Sequence, residues 1–221
     1  MTDGSGFDLT PYLGGFPLIA ILRGVTLAQV DPVAGILLGR GWRVIEIPLN
    51  SPDALQSIAK LSAAHGSHAL VGAGTVMTPD QVREVRQAGG RLIVMPHSDP
   101  DVIGEARVCG MACIPGVATP TEAFAALRAG ADALKLFPAE QLGPSVVKAW
   151  RAVMPKRIGL MPVGGITPDS MGAYLRAGAS GFGLGGGLFK PQMTLDEVAH
   201  RAGQYVGAWQ ALAPEMNSRN S

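Results

Sequence analysis

The chain has 221 residues, 47% of them hydrophobic and 16% charged, with a formal net charge of +1. That length and apolar fraction can fill one sizeable core, while the near-zero charge excludes the basic footprint expected of a nucleic-acid or anionic-membrane binder. Its two cysteines, Cys109 and Cys113, read as free thiols of a reducing cytoplasm, and with four scattered histidines they make no metal-ligand spacing.

No basic stretch followed by an apolar run opens the chain, so no signal peptide is expected, and runs such as Pro17 to Leu22 are far too short to span a bilayer. In chain order, Phe7 to Gly14 is expected to form a short helix within an N-terminal stretch of about residues 1–16. Short apolar runs then recur at intervals of roughly 20–26 residues, the period of repeated strand–helix units. They begin near Leu18, Val44, Ala69, Leu92, Met111, Ala133, Gly159 and Gly181, which makes eight.

Most runs are followed by a helix-start signal, as at Thr26, Ser51-Pro52-Asp53, Thr78-Pro79-Asp80, Asp99-Pro100-Asp101, Thr119-Pro120-Thr121-Glu122 and Thr167-Pro168-Asp169. Glycines at 89–90, 130 and 178 fall where a left-handed residue closes a helix. The last helix is expected from about Leu195 to Leu212, with Pro214 to Ser221 a frayed polar tail. Near-continuous apolar strands alternating with helices imply a parallel sheet covered on both faces. Eight units favour a single-domain (β/α)8 TIM barrel with a short N-terminal helix over an open, doubly wound sheet.

In such a barrel, chemistry gathers at the C-terminal strand ends. Lys135 lies inside Ala133-Leu134-Lys135-Leu136-Phe137-Pro138, where an ammonium must be paired, deprotonated or led out to water. A lysine desolvated toward neutrality is a nucleophile for a ketone and forms a Schiff base. Glu46, between Ile45 and Ile47, is a second charge in an apolar strand. It is either the structural ion-pair partner of Lys135 or a general acid/base beside it.

Arg23, ending the first run, suits a bidentate carboxylate clamp or a simple strand-end cap, and Thr75 offers a hydroxyl to the same carboxylate or merely to its own turn. Gly164-Gly165 and Gly185-Gly186-Gly187 follow the seventh and eighth runs, where barrels bind phosphate on bare backbone N–H groups. No G-x-G-x-x-G pattern supports a dinucleotide fold. His97 has no partner in the pattern and carries no assignment.

These residues sit in ordered motifs that resemble the class I 2-keto-3-deoxy-6-phosphogluconate/galactonate aldolases. The motifs are Ala20-Ile21-Leu22-Arg23-Gly24, Glu46-Ile47-Pro48-Leu49-Asn50-Ser51-Pro52, Gly72-Ala73-Gly74-Thr75-Val76, Pro115-Gly116, Thr121-Glu122-Ala123, Leu134-Lys135-Leu136-Phe137-Pro138 and Val163-Gly164-Gly165-Ile166. Asn50 and Val163 resemble the galactonate branch, because the gluconate branch usually carries Arg and Thr there.

The resemblance implies cleavage of 2-dehydro-3-deoxy-6-phospho-D-galactonate to pyruvate and D-glyceraldehyde 3-phosphate. Lys135 is then the Schiff-base lysine and Glu46 the proton shuttle. Arg23 and Thr75 bind the carboxylate, Gly165, Gly185 and Gly186 bind the phosphate, and Val163 lies by C4. No metal or cofactor is implied, and the family is typically a cytoplasmic homotrimer. The chain departs from the family pattern at Gly186, where a serine hydroxyl donor is usual, and at Met95-Pro96-His97. Rival readings are a gluconate- or dual-specific enzyme, another 2-keto-acid aldolase, a metal-dependent enolate aldolase, and a phosphosugar isomerase or silent phosphate-binding barrel.

Overall fold

The computed structural model describes residues 6–217. Strands β1 (Leu18–Ile21), β2 (Val44–Pro48), β3 (Leu70–Gly74), β4 (Leu92–Val94) and β5 (Ala112–Ile114) precede β6 (Gly116–Val117), β7 (Ala133–Leu136), β8 (Gly159–Pro162) and β9 (Phe182–Leu184). The helices are α1 (Thr10–Leu13), α2 (Val30–Gly39), α3 (Ala54–His65), α4 (Pro79–Gln87), α5 (Pro100–Val108), α6 (Pro120–Ala129), α7 (Pro144–Arg151), α8 (Pro168–Arg176) and α9 (Leu195–Asn217). None among the described residues is long and apolar enough to cross a membrane.

All strand pairings are parallel, in a curled six-stranded sheet ordered β5-β4-β3-β2-β1-β9 and a three-stranded sheet ordered β6-β7-β8. Each of the eight expected apolar runs contains a strand, but the fifth is broken in two at Pro115. A proline has no N–H to give to a ladder, and the chain crosses there from one sheet to the other. Gly116 N–H instead donates to the His97 carbonyl at 3.1 Å, and Lys135 N–H to the Pro115 carbonyl at 2.9 Å. At the opposite edge, a single bridge joins Val163, just past β8, to Gly183 of β9.

The expected helix starts hold because their side chains satisfy otherwise unpaired N–H groups. Thr78 accepts from Gln81, Asp99 from Asp101, Thr119 from Glu122 and Thr167 from Ser170. Two starts differ. Thr26 opens a turn and α2 begins only at Val30, while Asp53 precedes α3 in a left-handed conformation without capping it. Gly89, Gly130 and Gly178 all take positive φ at helix ends. The expected tail is corrected as well: α9 runs through Pro214 to Asn217. The strong helix formers of 208–213 carry it past a proline that costs about 3 kcal/mol. Residues 218–221, and residues 1–5 of the expected N-terminal helix, lie outside the described residues.

Side chains alternate along the strands and sort into two cores. Leu18, Ala20, Ile45, Ile47, Leu134 and Leu136 pack outward under the helices. Ile19, Val44, Leu70, Leu92, Ala133 and Met161 form a smaller inner cluster, with Phe7, Leu9, Tyr12 and Leu13 packed against it at the strand N-termini. The inner face is thus apolar at its floor, and this alternation fixes what stands above it.

Candidate active site

One step beyond the apolar floor, the same alternation turns Ile21, Glu46, Gly72 and Lys135 to the inner face. Ile21 is register partner to Glu46, and Glu46 to Gly72. Glu46 is 1% exposed and Lys135 is 6% exposed, so both ionisable groups are held among apolar neighbours. They form no ion pair with each other, whereas Lys60–Asp31, Arg83–Asp80 and Arg83–Glu105 do pair. Oε2 of Glu46 has no hydrogen-bond partner among the described residues. The structural ion-pair reading of Glu46 and Lys135 is therefore not what the geometry contains.

Burial pushes the Glu46 carboxyl up from 4.5 to about 7, against the opposing pull of Lys135 and Arg23. Burial likewise pulls the Lys135 ammonium below its ordinary value, with Glu46 opposing the shift and Arg23 adding to it. An acid pushed up beside a base pushed down gives a pair able to trade protons near neutrality. Lys135 Nζ lies 4.7 Å from the centroid of Phe137, whose ring supplies a face to whatever cation forms at that nitrogen.

Glycines make this packing possible. A Cβ at Gly74 would overlap the Glu46 carboxylate, and one at Gly72 would collide with the Leu92 carbonyl. Gly183 is bare because Val163 Cγ2 would sit 2.7 Å from its Cβ.

Lys135 opens onto a cavity of about 750 Å³ at the C-terminal strand ends. Of the sequence-predicted residues, Arg23, Lys135, Val163, Gly165, Gly185 and Gly186 line it. Glu46 does not line the wall but lies within electrostatic reach of Lys135 and Arg23, and Thr75 joins through Arg23. Arg23 donates through Nη1 to Asn50 Oδ1 at 2.7 Å and through Nη2 to Thr75 Oγ1 at a longer 3.4 Å. Thr75 itself has φ +57°, an uncommon conformation that aims this threonine at the arginine. The guanidinium is thereby steered from both sides over the lysine end of the cavity.

The far end is backbone. Gly164 and Gly165 take φ of +110° and +62°, which only glycine adopts freely, and their N–H groups donate to no acceptor among the described residues. The same is true of Gly186 and Gly187. Such clustered bare N–H groups suit an anion. The turns are fastened from behind: Tyr205 and Arg201 of α9 donate to the carbonyls of Ile166 (2.8 Å) and Gly187 (2.9 Å), and Tyr174 of α8 to that of Ala139 (2.8 Å).

Sequence reasoning did not assign roles to Asn50 as holder of Arg23, Gly74 as the space Glu46 occupies, Phe137, Glu140 or Lys190. Phe137 was within reach, since it stands two positions past Lys135 on the same face. Asn50 and Gly74 needed the register between strands. His97 lies outside the cavity wall, with its Nδ1 buried and unpaired among the described residues. No group of three His, Cys, Asp or Glu among the described residues is placed to hold a metal.

Several known proteins are similar to this chain over most of their length. A 2-dehydro-3-deoxy-6-phosphogalactonate aldolase of Escherichia coli K12 is 44% identical over 193 residues, 87% of this chain and 94% of its own. A probable enzyme of the same name from Rhizobium meliloti is 45% identical, covering 89% and 92%. A solved structure described as native KDPGal superposes with a TM-score of 0.89 at 43% identity, covering 90% of this chain and 97% of that one. Residues 12–201 match the family model for KDPG and KHG aldolase, and the chain belongs to that family.

Proposed function

We propose that this protein is a class I aldolase, a carbon–carbon lyase that cleaves 2-dehydro-3-deoxy-6-phospho-D-galactonate to pyruvate and D-glyceraldehyde 3-phosphate. The observation that carries this reading is a buried lysine opening onto a cavity whose far end is bare N–H groups, with a buried glutamate behind it, the two shifted toward each other in pKa yet not ion-paired. We take the strands to close into one eight-stave (β/α)8 barrel forming a single domain. The step of the chain across Pro115 and the Val163–Gly183 bridge support closure at the two seams. A cytoplasmic homotrimer is part of the proposal and rests on the family resemblance.

Neutral Lys135 attacks the C2 ketone to give a carbinolamine, and Glu46 protonates its hydroxyl, which leaves as water. The resulting iminium draws in the C3–C4 bonding pair as Glu46, directly or through water, takes the C4 hydroxyl proton. The aldehyde departs, Glu46 returns a proton to C3 of the enamine, and water releases pyruvate from Lys135. Arg23, steered by Asn50 and assisted by Thr75, holds the pyruvyl carboxylate. Gly165, Gly185 and Gly186 hold the phosphate, with N–H groups standing in for the missing hydroxyl at position 186.

Because the carboxylate of Glu46 fills the space above Gly74, Gly74→Ala is expected to lower kcat about tenfold or more while costing about 1–3 kcal/mol of stability. Steady-state kinetics with a thermal melt checks both, and an unchanged kcat would mean that Glu46 is not held where the chemistry needs it.

Val163 is 8% exposed, lines the cavity beside Gly164, and has no hydroxyl to offer the C4 region. The test of the substrate assignment is kcat/KM on the two C4 epimers. The galactonate epimer is expected to be preferred, and Val163→Thr to move the ratio toward the gluconate epimer by about 10-fold, the value of one added hydrogen bond. A wild type that prefers the gluconate epimer overturns the assignment and leaves the lyase chemistry standing.

A further inference from the structure

The anion-binding end of the cavity is not electrically uniform. Glu140, in the turn after β7, lines it together with Lys190, which follows the β9 glycines. The space that side chains at Gly164 and Gly165 would fill is taken by Glu140. A Cβ at Gly165 would lie 2.8 Å from Glu140 Cγ and 3.1 Å from Oε1, and one at Gly164 would overlap the carboxylate. Lys190 approaches from the other glycine turn, its Cε 4.0 Å from where a Cβ at Gly186 would stand. Both side chains are exposed, and neither has an ion-pair partner among the described residues. A carboxylate therefore occupies the Cβ side of the glycine turn whose N–H groups have no acceptor among the described residues, with an uncommitted ammonium beside the second turn.

We propose that Glu140 and Lys190 are specificity-determining residues for the terminal group of the substrate. Lys190 draws the terminal phosphate in, and Glu140 opposes it at the Gly164–Gly165 turn. This deepens, and rests on, the assignment of a phosphorylated substrate. A phosphate dianion seated on the bare N–H groups lies within a few ångströms of both charges, where opposite signs attract and like signs repel. Glu140 must swing out toward solvent for the phosphate to enter. A substrate ending in a hydroxyl carries no charge there and is indifferent to both residues. The balance sets how far the enzyme favours phosphorylated over unphosphorylated 2-keto-3-deoxy acids.

The experiment compares wild type, Glu140→Gln and Lys190→Met on the phosphorylated substrate and on its unphosphorylated counterpart. KM for the phosphorylated substrate is expected to fall about 3- to 10-fold in E140Q and to rise about 3- to 10-fold in K190M, with both shifts shrinking at high salt. KM for the unphosphorylated substrate should keep its wild-type value in both. Shifts of the same sign in the two variants, shifts shared by both substrates, or no shift at all overturn the proposal. Calorimetric titration with inorganic phosphate gives a readout that does not need turnover. Affinity in the order E140Q, wild type, K190M supports the charge balance, and equal affinities overturn it. If wild type cleaves neither acid, the functional assignment fails while the phosphate titration still decides the role of this pair.

Discussion

Replacing Lys135 with alanine is expected to abolish cleavage, lowering kcat by about 10⁴-fold or more, because the other amine lining the cavity, Lys190, is exposed at the glycine end beside Gly186 and lacks the burial that favours a neutral nucleophile. The companion result is chemical. Wild-type protein treated with pyruvate and borohydride should carry one reduced pyruvyl adduct, located on Lys135 by peptide mapping, and Lys135→Ala should carry none. The environment of this side chain adds a third expectation. An ammonium that is 6% exposed and without an ion-pair partner among the described residues is a cost to the fold. Lys135→Met, which keeps the length of the chain and drops the charge, should melt no lower than wild type. An adduct on another lysine, or cleavage persisting in the alanine variant, would sink the Schiff-base assignment.

Glu46→Gln carries the second large effect. Gln cannot donate or accept the travelling proton, so kcat should fall about 10²–10⁴-fold, the usual worth of general acid–base catalysis. The same variant reports on stability through a pH dependence whose sign follows from the direction of the shift. The folded carboxyl titrates near 7 against an ordinary 4.5, so the folded state holds its proton more tightly than the unfolded chain. This contribution is fully present below about 4.5 and is lost as pH climbs from there through about 7. The loss amounts to about 3 kcal/mol. Denaturant unfolding at pH 4.5 and pH 8 should show that loss in wild type and not in E46Q. A difference between the two proteins that does not change with pH would mean that the buried carboxyl titrates normally.

Much of this was legible from side-chain chemistry set against local pattern. Lys135 and Glu46 each interrupt an apolar run, and such an interruption in a short strand has few explanations. Strand–helix alternation and glycine clusters after the last two runs placed the cavity at one end. What stayed hidden depended on contacts between strands. The break at Pro115 looked like one strand because apolar residues continue on both sides of it. Gly74 stands in the sequence only as part of a motif, and it is the β2–β3 register that sets it beside Glu46. Asn50 marked a family branch in the sequence, and only the folded chain brings it 2.7 Å from Arg23. The end of α9 lies beyond Pro214 because the alanines and leucine before that proline carry the helix through it.

The fastening of the anion turns by Tyr205 and Arg201 has a mechanical consequence. The lysine end of the cavity inherits its rigidity from the strands themselves, whereas the two glycine turns at the far end are fastened chiefly by α9. Fraying of that helix would let the substrate's tail slip while the reacting carbons stayed registered over Lys135. Grip and chemistry are thus anchored to separate parts of the molecule, and wear on one need not reach the other.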